Sequence, residues 1–145
     1  MKSKITSLLL VGIQFACIFL ILFTGTPVPS GIIMLPYIAG LFIGIHAIFV
    51  MRKSHLTVFP DFKKGSRFIK EGPYRYIRHP MYLAVILVCL SLAINEITLL
   101  RIVIATILTG TLIYKISYEE KQLIAQIPGY KEYISETKKL IPFLF

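Results

Sequence analysis

Two long apolar stretches without a charged residue open the chain, and they limit its fold more than any other feature. Each of them, Ile5–Phe23 and Ile32–Met51, is long enough to cross a bilayer as an α-helix. Two further apolar stretches follow: Met81–Ile94, which is uncharged but short, and the longer Ile97–Ile116. Because apolar residues make up 56% of the chain and gather in these stretches, the sequence predicts an integral, multi-pass membrane protein.

The distribution of basic residues predicts how these stretches are oriented. Of the 16 Lys and Arg residues, eight lie between Arg52 and Arg78 and five lie from Lys115 onward, whereas residues 24–31 and 95–96 include none. Positive residues collect on the cytoplasmic side of membrane proteins. We therefore predict an all-α polytopic fold with four transmembrane helices, both termini in the cytoplasm and a basic loop from Arg52 to Pro80. The net charge of +9 then orients the chain and contacts membrane lipids, and it does not indicate nucleic-acid binding.

Several residues inside the stretches have simple structural interpretations. Gly40 and Gly44 form a pair of small residues at which another helix can approach closely. Cys17 and Cys89 are expected to be buried free thiols. Arg101 lies one turn beyond the bend between the third and fourth stretches, and we expect it to snorkel outward to the membrane surface.

The segment Gly72–Tyr82 is the most informative part of the chain for function. Its sequence, Gly-Pro-Tyr-Arg-Tyr-Ile-Arg-His-Pro-Met-Tyr, places aromatic rings, a histidine and two arginines directly before an apolar stretch. The fixed φ of Pro80 suits the first position of a helix, so the third helix is predicted to begin there with His79 as its cap. The next three amides, at residues 81–83, would then lack partners and could donate to an anionic group.

An acidic pair is the second candidate feature. Glu119 and Glu120 are the only adjacent carboxylates among the seven acidic residues. If the third and fourth helices form a hairpin, this pair lies near Arg78, His79 and Pro80, and the site would suit a zwitterionic, nucleotide-like ligand. On the residues alone a simpler interpretation stays open, in which the rings and arginines are interfacial anchors and the glutamates pair with neighbouring lysines on a solvated helix face.

The chain beyond Ile116 is polar but keeps a helical pattern until Pro128–Gly129. A second, amphipathic helix is predicted over Tyr130–Leu140. The final residues, Ile141–Phe145, are apolar enough to fold back onto the membrane or onto the protein.

These motifs together resemble the isoprenylcysteine carboxyl methyltransferase and phospholipid methyltransferase families of integral membrane enzymes, in the form of a small prokaryotic-type member. The resemblance combines segment 72–82, an apolar hairpin, and the pattern Glu-Glu-x-x-Leu-(x)5-Gly-Tyr-x-x-Tyr-(x)8-Pro. In this chain the pattern consists of Glu119, Glu120, Leu123, Gly129, Tyr130, Tyr133 and Pro142. A segment from Pro60 to Ile69 also resembles the one that leads into the motif in bacterial members.

The resemblance implies methyl transfer from S-adenosylmethionine to a lipophilic, membrane-resident acceptor at the cytoplasmic face of a prokaryotic membrane. It implies a single domain over residues 1–145, with an N-terminal helix pair (1–51) and a catalytic core (52–145) whose C-terminal helices cap the cofactor. The implied catalytic residues are Arg78, His79 and Glu120. The implied cofactor contacts are Ser66, Arg67, Phe68, Ile69, Tyr74, His79, Pro80, Met81, Tyr82, Glu119 and Glu120, with Glu120 the preferred carboxylate.

The acceptor is less well indicated than the cofactor. Members that act on a prenylated cysteine tend to carry an arginine just before the glutamates, whereas this chain has Lys115, which cannot make the same bidentate contact. Two other functions are alternatives: an NAD(P)H-dependent membrane reductase of the sterol-reductase type, and a non-catalytic module that binds lipid or a partner. No metal is expected, because His46 and His55 lack a third ligand at suitable spacing.

Overall fold

The protein is an all-α chain in a computed structural model that describes residues 2–52, 70–142 and 144–145. Within these residues there is no strand, only an isolated parallel bridge between Ile77 and Lys138. The α-helices are α1 (Lys2–Phe23), α2 (Met34–Met51), α3 (Pro80–Asn95), α4 (Leu99–Gln126) and α5 (Tyr130–Glu136). Short 3-10 helices at Gly31–Ile33 and Gly72–Arg75 precede α2 and α3.

Three of the described helices are long and apolar enough to cross a membrane: α1, α2 with its preceding turn, and α4. The fourth apolar helix, α3, has only 16 residues, about 24 Å at the rise of an α-helix. Much of the outward surface of α1 and α2 consists of large apolar side chains such as Phe15, Phe19 and Phe42. Such a surface suits contact with hydrocarbon, and the chain is a membrane protein.

The two glycines of α2 allow it to pack closely on α3, as predicted. A Cβ atom added to Gly40 would lie 3.0 Å from Leu87 Cβ and from Val88 Cγ2, and one added to Gly44 would lie 3.2 Å from Ala84 Cβ. The residue numbers rise along α2 as they fall along α3, so the two helices are antiparallel. Tight backbone approach of this kind is a common way for helices to associate in a membrane.

The first helix packs on α4 through one narrow stripe. Its buried residues, Ser7, Leu10, Gln14, Cys17 and Ile21, recur every three or four positions and therefore share one face. The main core lies between this stripe, α3 and α4, and includes Cys17, Ile21, Cys89, Leu92, Leu108 and Leu112. Both cysteines are buried free thiols, as expected.

A polar cluster ties the turn after α1 to the turn between α3 and α4. The Glu96 carboxylate accepts hydrogen bonds from the amide and hydroxyl of Thr26 and lies 3.0 Å from Nη1 of Arg101, which donates to it. Arg101 also donates to the Ile21 carbonyl and is 1% exposed. The prediction that Arg101 snorkels outward is wrong, because its guanidinium is buried among these acceptors.

The end of the chain agrees with the sequence pattern in α4 and differs from it in α5. α4 continues without a break to Gln126, so that Glu119 and Glu120 extend the same helix that carries the apolar stretch. α5 ends at Glu136 and not at Leu140. It ends early because the following residues pair with the segment before α3: Lys138 donates its amide to the Tyr76 carbonyl, and its own carbonyl accepts from the Arg78 amide.

Candidate active site

The segment that leads into α3 is held by backbone hydrogen bonds to the C-terminal segment. The amide of Arg78 donates to the Lys138 carbonyl at 2.8 Å, and the amide of His79 donates to the Lys139 carbonyl at 3.0 Å. Pro80 then begins α3, with His79 at the N-cap position, as predicted. The backbone of Arg78 and His79 is therefore held by contacts that do not involve their side chains.

The start of α3 offers fewer free donors than the sequence predicts. The amides of Tyr82 and Leu83 both donate to the carbonyl of His79, at 3.1 Å each. The expectation of three unpaired amides is wrong for these two positions, because the helix closes its first turn on the cap residue itself. Any anionic group bound here must rely mainly on side-chain donors.

Arg78 and Glu120 form a buried ion pair at the centre of the site. Nε of Arg78 lies 2.6 Å from Oε1 of Glu120, and both residues are 8% exposed. Nη1 of Arg78 donates to the carbonyls of Ile134 and Thr137 and to the Thr137 hydroxyl. A guanidinium out of water needs such partners on its several donors. Glu120 is therefore not on a solvated helix face, and this pair connects α3, α4 and the segment after α5.

Glu119 faces a second group, formed by Tyr82 and His79. The Tyr82 hydroxyl donates to Oε1 of Glu119 at 2.7 Å, and Nδ1 of His79 lies 3.9 Å from Oε2. The His79 and Tyr82 rings are stacked, with centroids 5.5 Å apart and planes 8° from parallel. Nε2 of His79 lies 3.4 Å from Oε1 of Glu120 and makes no hydrogen bond among the described residues. His79 thus contacts both carboxylates without being held tightly by either.

Three tyrosines line the same end of the protein. The Tyr133 hydroxyl donates to the Tyr74 carbonyl, and the Tyr74 hydroxyl is buried with no hydrogen-bond partner within the described ranges. Burial raises the pKa of Tyr74 and of Tyr130, and it raises the pKa of Tyr133 to about 12, although Arg78 opposes that shift. All three are therefore neutral phenols at physiological pH and can act as donors.

A buried lysine extends the polar region into the helix bundle. Lys115 is 2% exposed, and its Nζ donates to Oε1 of Gln14 at 2.9 Å. It also lies 5.1 Å from the centroid of the Tyr82 ring. The first helix, which sequence reasoning left without a role, therefore contributes a side chain next to the Tyr82–Glu119 pair.

The structure brings together several of the residues that the sequence singled out. Direct contacts link five of them into one cluster: Arg78, His79, Tyr82, Glu119 and Glu120. Pro80 is buried next to this cluster. Tyr74 and Met81 lie in a neighbouring apolar cluster with Ala47 and Val50 of α2. The four residues from Ser66 to Ile69 lie outside the described residues, and their expected cofactor contacts remain predictions.

Other site residues were not singled out from the sequence. Thr137 and Lys139 reach the ion pair only because the chain folds back after α5, and Nζ of Lys139 lies 4.0 Å from Oε2 of Glu120. Gln14 is the one side-chain amide in its apolar stretch, and this isolation is the one sequence signal that could have identified it. No group of three metal-binding side chains occurs in the part of the chain that the structure describes.

Most of the candidate site lies in a part of the chain that matches a known protein family. Residues 30–131 match the model of the phospholipid methyltransferase family. This range includes α2, α3, α4 and the cluster formed by Arg78, His79, Tyr82, Glu119 and Glu120, whereas Gln14 and Thr137 lie outside it. No curated protein matches the chain. Because the match covers more than half of the chain and agrees with the motif resemblance, the protein belongs to the phospholipid methyltransferase family.

Proposed function

We propose that this protein transfers a methyl group from S-adenosylmethionine to a lipophilic acceptor that resides in the membrane. Membership of a methyltransferase family supports an enzyme of this general class. The observation that carries the proposal is the meeting of Glu119 and Glu120 with Arg78, His79 and Tyr82 at one end of the helix bundle. Anchors at a membrane surface would not need a buried Glu120 paired with Arg78 and a second carboxylate, Glu119, beside the same histidine.

The polar groups of this cluster fit the proposed cofactor. S-adenosylmethionine, when bound, supplies an electrophilic methyl group on a sulfonium. Its ammonium and ribose hydroxyls suit a carboxylate, its own carboxylate suits His79 or Arg78, and its adenine suits a tyrosine ring. Two buried polar atoms, Nε2 of His79 and the hydroxyl of Tyr74, have no hydrogen-bond partner among the described residues. Buried groups of this kind usually find a partner, and a bound ligand would provide one.

The two glutamates are proposed to have different roles. Glu120 is paired with Arg78 at 2.6 Å and is approached by Lys139, so it neutralises buried cations and holds α4 against the segment before α3. Glu119 accepts one hydrogen bond from Tyr82 and retains lone pairs for a ligand. We therefore propose Glu119 as the main carboxylate toward the cofactor, in place of the Glu120 preference that the resemblance implied.

Methyl transfer requires little covalent participation by the protein. Methyl transfer is an in-line displacement, in which alignment of the reactants and exclusion of water supply most of the rate enhancement. A carboxylate acceptor needs no base. An amine acceptor must first lose a proton. His79 contacts both carboxylates without being fixed by them, and it is therefore better placed than Glu120 to act as the base.

The proposed membrane arrangement completes the model of function. We infer that α1, α2, α3 and α4 all cross, with both termini in the cytoplasm, because the basic residues concentrate at the end that carries the cluster. A water-soluble cofactor then reaches the cluster from the cytoplasm, and an apolar acceptor reaches it laterally from the bilayer. The short α3 is accommodated by local thinning of the bilayer.

Transfer of radiolabelled methyl groups into membrane lipid extracts tests the proposal. The wild type is compared with Glu119→Gln and with Glu132→Gln, a matched control on the exposed surface of α5. Loss of a charged hydrogen bond to the ligand predicts labelling reduced about 10- to 100-fold for Glu119→Gln, and no change for the control. Equal labelling by both variants, or binding of NADPH in preference to S-adenosylhomocysteine, would reject the proposal.

A further inference from the structure

Residues 140–142 and 144–145 form a compact apolar turn with several exposed side chains. The amides of Leu140 and Ile141 both donate to the Phe145 carbonyl at 2.7 Å, which closes the segment on itself. Within this closed turn Ile141 is 47% exposed and Leu144 is 80% exposed, while Leu140 is buried. The turn is thus fixed to the protein on one side and presents apolar side chains on the other.

Backbone pairing sets the height of this turn relative to the membrane helices. The carbonyl of Lys139 accepts from the amide of His79, the residue directly before Pro80, where α3 begins. The exposed residues therefore leave the protein at the level at which an apolar helix starts. That level corresponds to the boundary between lipid headgroups and acyl chains, where Pro80 passes from a polar segment into an apolar one.

The charges around the turn complement an anionic lipid surface. Lys138 is exposed, and Lys139, whose Nζ also lies 4.0 Å from Oε2 of Glu120, lies over the Phe145 ring with Nζ 5.1 Å from its centroid. Lysines beside exposed apolar residues are characteristic of segments that lie in the plane of a membrane surface, where the apolar residues enter to a depth of about 5–10 Å. Each lysine near such a surface is further attracted by anionic headgroups.

We propose that residues 140–142 and 144–145 form an interfacial anchor that inserts Ile141 and Leu144 into the membrane surface next to the start of α3. The anchor holds the Lys138–Lys139 segment in place, and this segment in turn holds the backbone of Arg78 and His79. The anchor thereby fixes the position of the candidate active site relative to the lipid surface. The inference does not depend on methyl transfer, and it would hold for any activity of the cluster.

The absence of tryptophan from the sequence allows a direct test. Leu144→Trp introduces a single fluorophore in the turn, and Ser135→Trp places the matched control on the exposed side of α5. Each full-length variant is reconstituted into bilayer discs that contain an anionic lipid, with and without lipids brominated on the acyl chain. We expect Leu144→Trp to emit at shorter wavelength than Ser135→Trp and to lose intensity with brominated lipid, while the control keeps its intensity.

Three results would overturn the anchor. They are emission from Leu144→Trp as red as that of the control, blue-shifted emission that brominated lipid does not quench, and equal quenching of both variants. The second result would mean that the turn packs on protein and not on lipid. If Leu144→Trp does not fold, Ile141→Trp provides the same readout from the other exposed residue.

Discussion

At the scale of single residues, the buried Arg78–Glu120 pair is the contact on which the site depends. Both charged groups are buried away from water. They are stabilised by their mutual attraction and by the hydrogen bonds that the carbonyls of Ile134 and Thr137 accept from Arg78. Removal of one partner leaves the other as an uncompensated buried charge. An exposed pair on the same protein, Lys70 with Glu136, has both side chains largely in solvent and lacks this penalty.

This contrast predicts different effects of the same substitution at two positions. Glu120→Gln should lower the free energy of unfolding by about 3 kcal/mol because it strands the Arg78 guanidinium. Glu136→Gln should lower it by less than about 1 kcal/mol. Thermal unfolding of both variants in detergent measures the difference, and a similar shift for the two would contradict a structural role for the buried pair.

Glu96 gives a second prediction at this scale, for the dependence of stability on pH. Hydrogen bonds from Thr26, with a further contribution from Arg101, hold the pKa of this carboxyl below its usual range. A carboxyl whose pKa is depressed in the folded state stabilises the protein above the pKa of the unfolded chain, and this contribution is lost as pH falls through the folded-state pKa. The wild type should therefore be more stable than Glu96→Gln at neutral pH and should approach it under acidic conditions. A difference that does not depend on pH would contradict the prediction.

At the scale of elements, the contact between α1 and α4 contains a polar pair in a mostly apolar stripe. Gln14 accepts from Lys115, and the neighbouring buried residues on α1 include Leu10 and Cys17. A buried donor that loses its acceptor is costly, whereas replacement of both partners by apolar groups can be nearly neutral. The pair therefore selects the register of α1 against α4 more than it adds to stability.

A double-mutant cycle on Gln14 and Lys115 tests this interpretation. Gln14→Leu should destabilise the protein by about 1–3 kcal/mol, because the ammonium remains buried without its acceptor. The double variant with Lys115→Met should be less unstable than the sum of the two single variants. Thermal unfolding provides all four values, and additive effects would mean that the two side chains do not interact.

The contact between α2 and α3 makes a further prediction at the element scale. Gly40→Ala places a methyl group 3.0 Å from side-chain atoms of Leu87 and Val88 and 3.1 Å from the Ala84 carbonyl oxygen, so these atoms of α3 must shift to make room. Overpacking of this kind costs about 1–3 kcal/mol. The control is Gly110→Ala on α4, where an added Cβ has no neighbour within 4 Å. The midpoint of thermal unfolding should fall for Gly40→Ala only, and equal effects would argue against close packing at Gly40.

At the scale of the whole molecule, the proposed four-span arrangement can be checked by labelling with a membrane-impermeant thiol reagent. Cysteine replacing exposed Val28 or Leu99 should react from outside intact cells, and cysteine replacing Ser135 should react only after permeabilisation. The native cysteines are buried and provide a low background. Protection of Leu99→Cys together with labelling of Val28→Cys would show that the hairpin of α3 and α4 does not cross.

Several features were predictable from local sequence. Charge-free stretches indicate membrane helices, Gly40 and Gly44 indicate a close helix contact, and Pro80 after His79 marks the start of α3. Each of these depends on one residue and its neighbours in the chain. The juxtaposition of Glu119 and Glu120 with Arg78 and His79 was also expected, because the two helices of a short hairpin run antiparallel, which brings the residues before α3 beside the later turns of α4.

The tertiary structure alone decided the contacts between distant segments, because the side chains involved carry no distinctive sequence pattern. Arg101 resembles a surface arginine but is buried against the Ile21 carbonyl of α1 and the Glu96 carboxylate. Gln14 contacts Lys115 across the bundle, and the chain after α5 returns to hold Arg78. A polar side chain carries no local signal of which partner it will find. The sequence determines where the apolar stretches and helix starts lie because these follow from solvation and backbone geometry, whereas the pairing of buried polar groups is decided only when the helices pack.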